Sequence, residues 1–176
     1  FLDDVIREAE MLVAGGYREV VLTGVNIGQY HPDEIDLVGL IAQLEAIEGL
    51  ERIRISSIEP TTITNALLDR MASSSKLCPY LHIPLQSGDD TILSSMNRPY
   101  NTKEFIHLVR RAVAAIPHLG LGTDLMVGFP GETEEAFEQT LARARELPFC
   151  YLHVFTCSQR PGTAATKLPD QVPIAV

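Results

Sequence analysis

The sequence is poor in cysteine and in basic residues, and it has no long apolar run. Its three cysteines are Cys78, Cys150 and Cys157. None sits in a CxxC or CxxxCxxC arrangement, and an odd number at such long spacings is not a disulfide framework. Reduced thiols in a cytoplasmic protein are the simplest reading. Lys and Arg total 14 against 23 Asp and Glu, a net charge of −9. Phosphate binding wants clustered Lys and Arg. The chain by itself is therefore not expected to grip nucleic acid, although another domain can hold an RNA for it. Arg110-Arg111 reads as the solvated face of a helix. No stretch approaches the roughly 18 apolar residues of a membrane span, so no membrane partner is expected. Phe1-Leu2-Asp3-Asp4 lacks the basic region and apolar stretch of a signal peptide. It also lacks an initiator Met and opens as if inside a helix, which reads as a cut from a longer chain.

Several catalytic signatures are missing as well. GxGxxG and the P-loop lysine motif are absent. Glu132, Glu134 and Glu135 would repel phosphate at the loop that most resembles a cradle, Gly128-Phe129-Pro130-Gly131-Glu132-Thr133. No GxSxG appears, and no HxH, HExxH or paired-carboxylate spacing joins His82, His107 and His153. No metal site is expected from these residues.

What the 176 residues do contain is a repeated alternation of apolar runs and amphipathic helices. Leu2, Val5, Ile6, Ala9, Leu12 and Val13 follow helical spacing, and Gly15-Gly16 stops that helix. Residues 19–23 read as a buried strand, about 36–47 as a helix and 52–56 as a second strand. Thr64 is placed to cap a helix with Leu67, Leu68 and Met71 inward. Residues 80–85 form the third expected strand, with a short helix at about 90–96. Thr102 is expected to cap a longer helix presenting Phe105, Ile106, Val109 and Val113, ended by Pro117. Residues 122–128 are the fourth strand. Thr133 caps a helix with Phe137, Leu141 and Leu147 inward, and residues 150–155 are the fifth strand.

Strands separated by helices imply right-handed parallel βαβ units. The expected fold class is α/β, a partial parallel (β/α) barrel of five βα units, with a doubly wound sheet as the alternative. Residues 1–163 are expected to form the barrel portion. Residues 164–176 read as a linker.

In such folds ligands sit beyond the carboxyl ends of the strands. The polar residues found there are Asn26 and Gln29, then Glu59, then Gln86 and Ser87. Thr123 and Asp124 lie within the fourth strand. Helix capping explains Ser87 or Thr133 but does not require Glu59, Gln86 or Asp124. A carboxylate inside an apolar strand must find a partner, a cation or a polar cavity, so Asp124 is the most informative single residue.

Three motifs in order then resemble a known family. They are His82-Ile83-Pro84-Leu85-Gln86-Ser87-Gly88, Met96-Asn97-Arg98-Pro99-Tyr100, and Thr123-Asp124-Leu125-Met126-Val127-Gly128-Phe129-Pro130-Gly131-Glu132-Thr133. Phe155 to Ala165 is similar to the end of the same barrel. The family is the radical-SAM methylthiotransferases. Thr23-Gly24-Val25-Asn26-Ile27-Gly28-Gln29-Tyr30 looks most like the branch acting on threonylcarbamoyl-adenosine in tRNA.

The resemblance implies transfer of a methylthio group to an adenosine beside the tRNA anticodon, or in one branch to a ribosomal-protein aspartate. It implies S-adenosylmethionine and [4Fe-4S] clusters as cofactors, an electron donor for the cluster, and a tRNA partner held through other domains. The cluster loop would lie just before Phe1, with the first barrel strand, so its ligands are not in this chain. Glu59, Gln86, Ser87, Arg98, Thr123 and Asp124 are the implied cofactor contacts. Asn26 and Gln29 are assigned to cofactor or substrate. A non-catalytic barrel scaffold and an unrelated barrel lyase using Asp124 with a lysine are the competing readings. Lys76, Lys103 and Lys167 fall in helix or loop regions, which disfavours the lyase.

Overall fold

The computed structural model describes residues 2–173. Five strands and six helices alternate along them. They are α1 (Leu2–Ala14), β1 (Glu19–Leu22), α2 (Leu37–Glu45), β2 (Arg52–Ile55), α3 (Asn65–Ser73), β3 (Tyr80–His82), α4 (Asp90–Ser95), α5 (Thr102–Ala115), β4 (Gly120–Val127), α6 (Glu134–Glu146) and β5 (Tyr151–Thr156). The chain divides into two compact units. One takes in the described residues up to His82 together with Arg111–Gly120. The other takes in Ile83–Arg110 and the described residues from Leu121 on.

In the first unit β1 and β2 pair in parallel, Glu19 opposite Arg52 and Leu22 opposite Ile55. The segment after α3 runs parallel to β2 on its other side, with bridges Ile53 to Leu77 and Ser57 to His82. Alternation sends Val20, Leu22, Ile53 and Ile55 to a buried face, because successive strand side chains point to opposite sides. α2 and α3 supply Leu40, Ile41, Leu44, Leu67 and Leu68 to the core, each at most 2% exposed. Burying such a side chain contributes roughly 1.5–3 kcal/mol. Both helices start as expected. The Asp36 carboxylate accepts from Gly39 N–H at 2.8 Å, and Thr64 Oγ1 accepts from Leu67 N–H at 3.1 Å.

In the second unit β4 and β5 pair in parallel, with Asp124 opposite His153. The chain from Ile83 to Gln86 runs along the other edge of β4: Ile83 N–H donates to Gly122 O, and Gln86 exchanges bonds with Asp124 and Met126. This edge is not a regular strand, so the third strand is shorter than expected. Pro84 has no N–H to give a ladder. The Thr123 hydroxyl fills the break, donating to Ile83 O at 2.7 Å and accepting from Leu85 N–H at 2.9 Å.

Two helix expectations are corrected. Asn101, not Thr102, caps α5: Asn101 Oδ1 accepts from Glu104 N–H while Glu104 accepts from Asn101 N–H, both at 2.9 Å. This is the reciprocal capping box. Thr102 is the first helical residue, and its N–H donates to Asp90 at 2.7 Å. The buried stripe of α5 runs through Phe105, Leu108, Val109 and Ala112, and Ile116 just past its end continues it, leaving Val113 exposed. On α6 the buried residues are Ala136 and Thr140, while Phe137 is exposed. Small residues face inward there because α6 lies against Gly88, where a Cβ would meet the Thr140 Cα at 2.5 Å.

Residues 164–173 are tied back to the second unit rather than extended. Gly131 N–H donates to Asp170 O at 2.9 Å, Gln171 donates to Ala165 O and Leu168 O, and Ala165 and Leu168 pack on Ile92, Phe129 and Ala136. The last three residues of the expected linker, 174–176, lie outside the described residues. Among the described residues no helix is long and apolar enough to cross a membrane.

Candidate functional site

In the first unit, the loops after β1 and β2 are brought together by close packing. A Cβ at Gly28 would lie 1.9 Å from Thr62 Oγ1, so only glycine lets the two loops touch. Asn26 stands before the turn Ile27–Gln29 without making a capping bond. Its Oδ1 is buried and has no hydrogen-bond partner. A buried acceptor left unmade costs about 1–3 kcal/mol, so this atom is open to a donor that the described residues do not supply. Gln29 is exposed on the same loop. Glu59 is half-buried at the start of the turn Pro60–Thr62, and its carbonyl accepts from Thr62. Asn26, Gln29 and Glu59 thus share one pair of loops at the carboxyl ends of β1 and β2.

In the second unit, the segments carrying Gln86 and Arg98 are joined. The Tyr100 hydroxyl donates to Pro84 O at 3.0 Å, which ties residues 96–100 to residues 84–87. Gln86 holds φ +68, a left-handed conformation costly for a non-glycine residue. The two flanking backbone bonds to Asp124 O and Met126 N–H, both 2.8 Å, hold it there. Arg98 follows Asn97 (φ +57) and is half-buried.

Ser87 and Thr123 are placed differently. Both are fully buried. The Ser87 hydroxyl lies 3.4 Å from Thr140 Oγ1 and accepts from Asp89 N–H, and Thr123 serves the β4 edge. Their hydroxyls hold the backbone that presents Gln86.

Asp124 is mid-strand rather than at a strand end. Its carboxylate meets His153 Nδ1 at 3.3 Å. Residues of alternate register share a face, so Tyr151, His153 and Phe155 line up on β5. Their ring centroids are 5.1 Å and 6.4 Å apart in succession. Sequence reading passed over this row, although the i, i+2, i+4 spacing of three rings was there to see.

The loop after β4 closes on itself. Glu132 accepts from Gly128 N–H at 2.5 Å, and burial holds its carboxyl above the ordinary value, with Asp89 adding to the rise. Burial first, and Glu132 second, also raise the Cys157 thiol. Gly128 and Gly131 hold φ +75 and +85 with open space where a Cβ would stand, leaving room for a ligand to reach the backbone. A separate cavity of about 200 Å³ lies between α2 and α3. Its charges answer one another: Arg70 and Ser74 bond Glu45, and Lys76 donates to Glu45 O and Ile47 O.

The first unit offers an orphaned amide oxygen and a carboxylate, and the second offers a guanidinium and open glycine backbone; each is a group of the kind that an aminoacyl nucleoside such as S-adenosylmethionine bonds. They do not fit an iron–sulfur cluster. Cys150 and Cys157 flank the two ends of β5, roughly 20 Å apart along an extended strand, whereas cluster thiolates must reach one small inorganic core.

Known proteins place the chain in a family. The Radical SAM superfamily matches residues 2–144. A tRNA-2-methylthio-N(6)-dimethylallyladenosine synthase from Endomicrobium trichonymphae is 39% identical over 97% of this chain and 41% of its own length. The threonylcarbamoyladenosine tRNA methylthiotransferase of Bacillus subtilis is 42% identical over 97% of this chain and 36% of its own. The chain therefore spans roughly two fifths of the length of such relatives. Coproporphyrinogen III oxidase from Escherichia coli, a radical SAM enzyme, superposes with a TM-score of 0.69 at 21% identity, covering 98% of this chain and 42% of that one. A radical S-adenosylmethionine methyltransferase from Kitasatospora setae gives 0.66 at 16% identity over 89% of this chain and 31% of that one. The α/β arrangement of parallel strands and helices is thus the partial barrel expected from the sequence, and the chain belongs to the Radical SAM superfamily.

Proposed function

We propose that this chain is the S-adenosylmethionine-binding barrel portion, residues 1–163, of a methylthiotransferase that modifies an adenosine beside the tRNA anticodon. Residues 164–176 lead on towards an RNA-binding domain. The observation that carries the reading is identity near 40% with tRNA methylthiotransferases over nearly the whole chain. The 23–30 loop favours the threonylcarbamoyl-adenosine branch.

Asn26, Glu59, Gln86 and Arg98 are the proposed cofactor contacts. Asn26 Oδ1 accepts from the cofactor's ammonium or a hydroxyl. The Arg98 guanidinium offers a carboxylate a fixed fork of donors. Gln29, exposed on the Asn26 loop, faces substrate. Bound to a [4Fe-4S] cluster held elsewhere in the protein, the cofactor supplies a radical able to remove a hydrogen atom. The residues of this chain orient it and exclude water. The protein works in the cytoplasm, with tRNA and an electron donor as partners.

The test uses the full-length protein, prepared anaerobically with iron and sulfide. Supplied with S-adenosylmethionine, a reductant and tRNA, it yields a nucleoside with the mass increment of a methylthio group. Asn26→Ala and Arg98→Met each weaken S-adenosylmethionine binding by about ten-fold, the value of one lost charge-assisted or buried hydrogen bond. Unmodified tRNA from a protein that cleaves S-adenosylmethionine would reject the reading.

A further inference from the structure

β5 is unusual for a strand in this fold. It is half-buried at Tyr151 and exposed on both faces from Leu152 to Thr156, with His153 and Phe155 on one face 56% and 52% exposed. Three rings in file are normally buried, since each can cover 150–250 Å². Here Tyr151 is half-buried, while His153 and Phe155 are held in order with more than half of their surface open. Tyr151 lies over Gly122, where a Cβ would sit 2.1 Å from the ring. Asp124, opposite His153 in register, brings a carboxylate oxygen to 3.3 Å from its Nδ1, beside the ring that stands between Tyr151 and Phe155. The neighbouring Met126 is half-buried beside Phe155.

We propose that this row, Tyr151, His153 and Phe155 with Asp124 as the residue positioning His153, is the platform on which the substrate's purine base stacks. The proposal rests on the tRNA-adenosine reading above and deepens it by naming the residues that receive the base. Successive rings are turned by 49° and 81°, so a base stacks on one ring with the edge of the next against it, and stacking on aromatic side chains is how nucleic-acid proteins hold unpaired bases. Charge selects the base over the backbone. Asp124 and His153 face each other here, in a chain of net charge −9, so the carboxylate repels a phosphate. The carboxylate has lone pairs enough to accept from both an imidazole and an exocyclic amine. Asp124 is then a positioning residue for the platform and not a cofactor ligand.

The experiment uses the full-length enzyme and an anticodon stem–loop RNA carrying fluorescent 2-aminopurine at the target adenosine. The wild type quenches the fluorophore by stacking. Phe155→Ala and His153→Ala each weaken the RNA by about ten-fold, within the range for one lost base–aromatic stack, and abolish most of the quench. S-adenosylmethionine affinity stays at the wild-type value. His153→Phe restores the quench, which a merely structural role would not predict. Because both residues are more than half exposed, the variants fold.

Full quenching in both alanine variants overturns the proposal. So does a loss of cofactor affinity with RNA affinity intact, which would make the cofactor's adenine the occupant. A fall in thermal stability with both affinities unchanged would assign the face to another segment of the protein. A wild type that cleaves S-adenosylmethionine but neither binds nor modifies RNA fails the tRNA reading itself, and the platform with it.

Discussion

The two parallel strand pairs share an architecture and differ in what they do with the face turned away from the core. On β1–β2 that face carries Glu19, Val21, Arg52 and Arg54. The Glu19 carboxylate accepts from Arg52 Nε at 2.7 Å and from Arg54 Nε at 3.1 Å, and the Arg54 guanidinium sits 5.1 Å from the centre of the Tyr80 ring. The charges are spent on one another. On β4–β5 the corresponding face carries Gly122, Asp124, Tyr151, His153 and Phe155, with rings left in solvent. A face covered by mutually paired charges holds a fold together, while a face of ordered rings around a single acid–histidine pair leaves ring surface open to a flat partner. The first should therefore be sensitive to salt and acid, and the second to shape.

The largest effect is expected from shape. Gly88→Ala in the second unit drives a methyl against the α6 backbone at 2.5–2.9 Å, and backbone cannot swing aside. Overpacking of this kind costs about 3 kcal/mol, read as a large fall in thermal midpoint. Gly122→Ala is milder, because the atoms met are the far end of the Tyr151 ring. A cost of about 1 kcal/mol is expected. The informative readout is Tyr151 fluorescence or its ring proton shifts, which move if the ring is expelled from the row. No change in either would mean that Gly122 does not seat Tyr151, and the contrast between the two faces would lose its basis.

Much of this was legible in the sequence and some was not, for definable reasons. All five strands and the Thr64 and Thr133 caps follow from periodicity and local capping chemistry. The misplaced stripe on α6 does not. Phe137 and Leu141 are the apolar residues, but Gly88, 52 residues before Thr140, decides that only Ala136 and Thr140 fit inward. Pairing between distant positions is invisible to a local pattern. The same holds for Thr123 and Ser87, whose hydroxyls point at partners far along the chain. At the site, Asn26 and Glu59 were placed by their position after strands. Asp124 was singled out correctly as a carboxylate that needs a partner, but the partner, His153, is known only once β4 and β5 are in register.

The smallest expected effects carry opposite signs and so discriminate best. Hydrogen bonds from Arg52 first and Arg54 second hold the Glu19 carboxyl below its ordinary value. A depressed acid stabilises the fold above its unfolded-state value, and that contribution is lost as pH falls through the lower folded value. Glu19→Gln should therefore lower the thermal midpoint at neutral pH, lower it less in high salt, and change nothing below the folded-state value. Glu132 is the converse. Burial raises its carboxyl, and its Oε1 has no hydrogen-bond partner. A raised acid favours the fold only while protonated, and the advantage is lost as pH climbs through the folded value. Glu132→Gln keeps the oxygen that accepts from Gly128 and removes the buried charge. It should raise the midpoint at neutral pH, and the gain should vanish on acidification. Melting curves of both variants across the acid range decide the matter. If both lose stability at neutral pH, the Glu132 carboxylate is held by a cation or donor at the β4 loop.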